Sequence, residues 1–176
     1  MTKIKVTLGN LKTALDEIDK YEKSLKEKMK VLMERLAELG IEEATARFKN
    51  VEYDGVNDVV VDDKPTWLDD NKLVIKARGR SITFIEFGTG VYNPGVHPKA
   101  NELGMIRGAY GKGLGKNEKW SYVGNESDIH AQGKAINVGD KTIIITKGNN
   151  PNRGMYETAK KLRQEIEKIA REVFKE

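Results

Sequence analysis

Two short acid–lysine pairs are the first residues in this 176-residue chain whose types and spacing could do chemistry. Asp62-Asp63-Lys64 and Asp70-Asn71-Lys72 each match the Asp-x-Lys half of a metal-dependent nuclease site. In such a site two carboxylates hold Mg²⁺, and the lysine steadies the attacking water or the phosphate. The acidic segment 52–72 would then be the active centre of a nuclease or nucleic-acid-binding module. The same residues also suit plain turns beside Pro65 and Asn71.

Other candidates carry less. Gly111-Lys112-Gly113-Leu114-Gly115-Lys116 looks like a phosphate loop but lacks its spacing. Ile106 and Tyr110 stand where the first glycine belongs, and Gly113 or Asn117 follows the lysine in place of Ser or Thr. A flexible loop is the expectation. His97 and His130 are the only histidines, and neither belongs to a His-Glu-x-x-His pattern. His97, between Val96 and Pro98, reads as a loop histidine making one hydrogen bond. Glu86 is a lone carboxylate between Ile85 and Phe87. It is expected to accept backbone N–H bonds from the Gly88-Thr89-Gly90 turn, or to pair with an arginine. Tyr110, Trp120 and Tyr122 interleave with Lys112, Lys116 and Lys119, as on a stacking surface for single strands. No recognised nucleic-acid module accompanies them, so a protein-interaction loop is the expected role.

Composition bounds these readings. Length suits one domain, and 38% apolar with 33% charged residues is ordinary for a wet-surfaced soluble protein. No apolar run reaches membrane-spanning length, and Met1-Thr2-Lys3-Ile4 does not read as a secretory signal. The chain has no cysteine, which removes disulfides, thiol catalysis and zinc-finger sites and fits a reducing cytoplasm. Net charge is +4, unevenly spread. Residues 51–71 hold seven acids against Lys64, whereas 72–147 hold twelve bases against six acids. Opposite surfaces could join one copy to the next; two solvated loops would look the same.

The elements that must position these residues read as α+β: an antiparallel sheet, with a long N-terminal helix and a C-terminal helix packed on one face, and a long glycine-rich loop. Lys3-Ile4-Lys5-Val6-Thr7-Leu8 alternates like a half-buried strand. Leu11, Leu15, Ile18, Leu25, Met29, Leu32, Leu36 and Leu39 then form a heptad seam, with Glu22 at its gap and Tyr21 beside it. A helix over 10–39 would span about 45 Å, longer than a small core needs. Gly40 is its expected C-terminal cap, and Ile41 to Phe48 a short second helix. Strands are expected at Val59–Val61, Leu73–Ala77 and Ser81–Phe87, the last two joined by an Arg78-Gly79-Arg80 hairpin turn. Eleven of the 17 glycines fall between Gly88 and Lys141, with a small strand at Lys119–Val123 among them. Thr142–Thr146 is the next strand. Asn152 is the expected N-cap of a closing helix whose apolar face runs Met155, Ala159, Leu162, Ile166, Ile169, Val173. The chain thus divides into a helical region (10–48), strands (51–87), a glycine-rich loop region (88–141), and a strand with the closing helix (142–176), all within one domain.

The order of several pieces resembles the small neck proteins of long-tailed bacteriophages and prophages, the tail-completion or head–tail connector family. Those pieces are Phe84-Ile85-Glu86-Phe87-Gly88-Thr89-Gly90, His97-Pro98, Lys119-Trp120-Ser121-Tyr122, Thr146-Lys147-Gly148-Asn149 and Met155-Tyr156-Glu157-Thr158-Ala159. The likeness extends over roughly residues 10–175. It implies no enzymatic activity, no cofactor and no metal. It implies a structural virion subunit assembled in the host cytoplasm, forming a homo-oligomeric ring, a hexamer or a multiple of six, where tail meets head. Its implied partners are itself, the connector and the tail terminator, with packaged DNA nearby and no membrane. The residues it marks for such an interface are Glu86, Phe87, Gly88, Thr89, His97, Trp120, Tyr122, Lys147, Met155 and Tyr156.

Overall fold

The computed structural model describes residues 11–90, 97–105, 119–131 and 133–175. The expected strand at 3–8 and the Gly111–Lys116 run, with Tyr110, lie outside them, and of Trp120 only the backbone is described. The fold is α+β; the described residues form two long helices, one short helix and three small antiparallel sheets.

Helix α1 spans Leu11–Lys49 without a break. Gly40 does not end it. A Cβ there would meet Ile75 Cδ1 at 2.3 Å and Leu162 Cδ1 at 3.1 Å, so the missing side chain admits two neighbours to the helix surface. Packing outweighs the cost of a mid-helix glycine, about 1 kcal/mol. The closing helix α3, Gly154–Lys175, runs antiparallel to α1. Phe48 meets Gly154, Gly40 meets Leu162, and Arg35 pairs with Glu172 at 3.1 Å.

The heptad seam divides in two. Leu32 is buried and Leu36 and Leu39 half-buried, whereas Leu11, Leu15, Ile18, Leu25 and Met29 are exposed, as is Tyr21. The C-terminal half of α1 therefore belongs to the core, which is centred on Phe48, Ile85 and Ile144.

Between the helices lie short strands. β1 (Val60–Val61) pairs with β4 (Ala77–Arg78). β2 (Thr66–Asp69) and β3 (Lys72–Val74) form a hairpin, with Asp69 Oδ1 accepting the Asn71 N–H at 2.8 Å. The expected strand Leu73–Ala77 is thus split between β3 and β4. The expected strand Ser81–Phe87 is instead a helix, α2 (Ile82–Phe87). Its alternating pattern misleads because Ile85, Glu86 and Phe87 are buried in succession, which a one-sided strand cannot do. The Arg78-Gly79-Arg80 turn therefore joins a strand to a helix.

The third sheet has the order β5–β7–β6, from Trp120–Val123, Lys141–Thr146 and Lys134–Val138. β5 and β7 agree with the sequence reading. β6 falls inside the stretch expected to be loop, as does a short 3₁₀ turn at Glu126–Asp128. Two residues, Gly139-Asp140, join β6 to β7, and Gly139 takes φ 63°, the positive value such tight hairpins need. Among the described residues no helix is long and apolar enough to cross a membrane.

Candidate functional site

The Glu-Phe-Gly-Thr segment and the Asn-Pro-Asn-Arg-Gly-Met-Tyr segment, some sixty residues apart, close on each other. Glu86 is the hinge of that contact. Its Oε2 accepts the Met155 N–H at 2.9 Å and its Oε1 accepts the Tyr156 N–H at 3.0 Å. These are first-turn donors of α3, which have no partner within the helix itself. A buried carboxylate placed there also meets the positive end of the helix dipole. The sequence reading had the kind of bond right and the donors wrong: they come from the closing helix, not from Gly88-Thr89-Gly90. Nor is Asn152 the cap. The first helical bond runs from the Glu157 N–H to the Arg153 carbonyl at 2.8 Å, so Arg153 holds the cap position, at φ 59°. Asn152 Oδ1 is buried with no hydrogen-bond partner among the described residues.

The backbone completes the latch. Asn152 N–H donates to the Ile85 carbonyl at 2.8 Å, Arg153 N–H to the Glu86 carbonyl at 3.2 Å, and Thr89 N–H to the Asn149 carbonyl at 2.8 Å. The orphan carbonyls of α2 and the orphan amides of α3 thus satisfy each other's segments. Gly88 makes this approach possible. It sits at φ 80°, and a Cβ would meet Asn149 O, Pro151 N and Pro151 Cδ, each at 2.8 Å.

His97 seals the latch from the other side and is 4% exposed. Its Nδ1 accepts the Lys99 N–H at 3.1 Å, so the neutral ring carries its proton on Nε2, which faces Glu86 Oε1 at 3.3 Å. The ring lies 4.4 Å from that of Phe87 and 5.5 Å, edge-on, from that of Tyr156. One hydrogen bond in a loop was expected; the ring makes two and is packed between aromatics.

A second hub lies beside it. Asp54, buried, accepts the His130 and Ala131 N–H groups at 3.0 and 2.7 Å and the Thr146 hydroxyl at 3.2 Å. Its own N–H donates to Asn149 Oδ1 at 2.8 Å. Asn149 N–H in turn donates to Thr89 Oγ1 at 2.9 Å. Asp54 therefore ties the loop after α1 to the β7 end of the sheet and to the latch. Sequence reasoning counted it only as one acid among seven.

Three further acids of 52–72, Asp58, Asp62 and Asp69, are also engaged. Asp58 accepts bonds from the Ser81 hydroxyl and the Ser81 and Arg80 amides, which hold its carboxyl down at about 2. Asp62 pairs with Arg78 at 2.6 Å. Among the described residues no three His, Asp or Glu side chains gather as a metal ion would require. Asp70 lies 4.0 Å from Lys30, exposed.

Of the residues marked for an interface, Glu86, Phe87, Gly88 and His97 are buried within the single chain, and Thr89, Met155 and Tyr156 are half-buried. Seven of the ten thus form one internal assembly. Tyr122 lies on the inner face of the third sheet, half-buried, its hydroxyl pushed up by burial and then by Asp54 and Asp128. Tyr53, near it, is pushed up to about 12, again mainly by burial. Lys147 is exposed. An open cleft lined by Glu52, Ala131, Asn150 and Asn152 adjoins the latch. The arrangement's evident chemical work is to fix backbone: two carboxylates, each accepting two main-chain N–H groups and one side-chain partner, His97 at Glu86 and Thr146 at Asp54. Comparison with family models, curated proteins and solved structures finds no match to this chain.

Proposed function

We propose that this chain is a structural subunit of the phage neck, forming an oligomeric ring that joins tail to head. The observation that carries the reading is the latch. The pieces of sequence on which the resemblance rests, 86–89, 97 and 149–156, fold into one contiguous unit held by Glu86. Such a unit is a rigid frame from which adjoining surfaces can be presented. A second support is the exposed apolar half of α1, a surface that one copy leaves unfinished. The subunit would belong to the virion and bind the connector and tail terminator. The nuclease or nucleic-acid reading of 52–72 has no observation in its favour, since Asp54, Asp58 and Asp62 are engaged within the chain.

Electron microscopy of the purified chain, mixed with connector and tail-terminator proteins, tests the proposal. Rings or ring-bearing complexes are expected. A chain that stays single at high concentration and ignores both proteins overturns it.

A further inference from the structure

Both ring nitrogens of the buried His97 are engaged, and a proton would act on the two contacts in opposite ways. Nδ1 accepts the Lys99 N–H at 3.1 Å, and Nε2 faces Glu86 Oε1 at 3.3 Å. The neutral imidazole is one donor and one acceptor, whereas the charged ring is two donors. With the proton added, the Nε2 contact becomes a charged pair with the Glu86 carboxylate. At Nδ1 two N–H groups then point at each other, and the Lys99 amide loses its acceptor.

The surroundings decide which partner gives way. The ring is packed between Phe87 and Tyr156, with centroids 4.4 and 5.5 Å away. Glu86 is anchored by the Met155 and Tyr156 amides of α3. Lys99, by contrast, is half-buried at the start of a surface turn whose residues 101–104 are exposed. That turn is held by its own backbone bonds: Ala100 N–H donates to the His97 carbonyl at 3.0 Å, and Met105 N–H to the Ala100 carbonyl at 2.8 Å. Its link to the latch through Nδ1 is the bond that a proton removes. Among the described residues, the titratable groups facing the ring are Glu86 from α2 and Tyr156 from α3. Lys99, in the ring's own turn, directs its ammonium to Glu102.

We propose that His97 is a pH-sensitive clasp. Protonation tightens its hold on Glu86, releases the Lys99 amide and loosens the turn at 97–105, while α3 stays capped. Histidine is the side chain that ordinarily changes charge between pH 5 and 8, so the clasp works near neutrality. The device lies within one copy and stands whether or not copies associate.

Amide hydrogen exchange, followed by NMR on the intact chain from pH 8 to pH 5, tests it. Each rate is divided by the intrinsic exchange rate at that pH. As the His97 imidazole signals titrate, protection of the Lys99 amide is expected to fall at least tenfold, while the Met155 and Tyr156 amides keep theirs. Constant Lys99 protection across the titration overturns the proposal, as does a ring that takes up no proton in that range. An equal loss at Met155 and Tyr156 also overturns it, because the whole latch would then be opening. His97→Asn supplies a second readout. Its Oδ1 can accept the N–H two residues on, as in an Asx turn, and it never charges. Lys99 protection in that variant is expected to be independent of pH; a fall like that of the wild type would place the effect elsewhere and contradict the clasp.

Discussion

Glu86 and Met155 are 69 residues apart, yet the carboxylate of one accepts the main-chain N–H of the other at 2.9 Å. A short buried helix thus supplies the cap for a long distant one. The start of α3, the end of α2 and the position of His97 all depend on that one side chain. Replacing it with glutamine keeps the shape but turns one acceptor into a donor facing N–H groups. We expect Glu86→Gln to lose about 2 kcal/mol of stability, measured by equilibrium urea denaturation. A loss under about 0.5 kcal/mol, typical of an ordinary surface change, would contradict the capping role.

Three glycines with positive φ separate backbone strain from crowding. Gly104 and Gly139 have φ 69° and 63° and nothing within 4 Å of a Cβ. Gly88 combines φ 80° with three main-chain or proline atoms at 2.8 Å, none of them the end of a flexible side chain. Alanine at 104 or 139 is expected to cost about 1 kcal/mol, the strain alone. At 88 it should cost about 3 kcal/mol or more, because the latch must open to admit it. Thermal or chemical unfolding of the three variants ranks them.

Asp58 gives a pH signature. Its folded carboxyl is held at about 2, below the ordinary 3.8, first by the Ser81 hydroxyl and then by the Ser81 and Arg80 amides. A depressed acid stabilises the fold above its unfolded value and stops doing so as pH falls through its folded value. The stability gap between wild type and Ser81→Ala should therefore be full at pH 6 and shrink between about pH 4 and pH 2. A gap independent of pH over that window would mean that the hydroxyl does not act through Asp58.

Tyr53 gives the opposite end of the scale. Burial raises its phenol to about 12, so the folded state favours the neutral ring. That contribution is complete below the unfolded value near 10 and fades as pH climbs toward 12. Ultraviolet titration of wild type against Tyr53→Phe should show one phenol missing from the late-titrating class.

Much of the frame was legible in the sequence, and particular residues show why the rest was not. α3 and α1 as far as Gly40 carry clean periodicity, and β5 and β7 read as short strands around Trp120–Val123 and the run Ile143-Ile144-Ile145, so local pattern places them. The alternation in Ser81–Phe87 is a strand's, but the burial of three consecutive residues, Ile85, Glu86 and Phe87, made the short helix the better solution. Gly40 reads locally as a stop signal, and only its contact with Ile75 and Leu162 explains why the helix continues. β6 is masked by Lys134, Asn137 and neighbouring glycines, and it exists because β7 offers it an edge. Glu86 and Asp54 take their N–H donors from 69 and 76 residues away. No local motif encodes such a pairing. The isolated acid in an apolar run was the one available hint at Glu86, and Asp54 had none.

Native mass spectrometry of the intact chain over a rising concentration series tests the central claim, that one copy is completed by others. We expect a discrete oligomer, six copies or a multiple of six, to grow in as monomer declines. A spectrum showing monomer alone at the highest concentration, with or without neck partner proteins, would contradict the account.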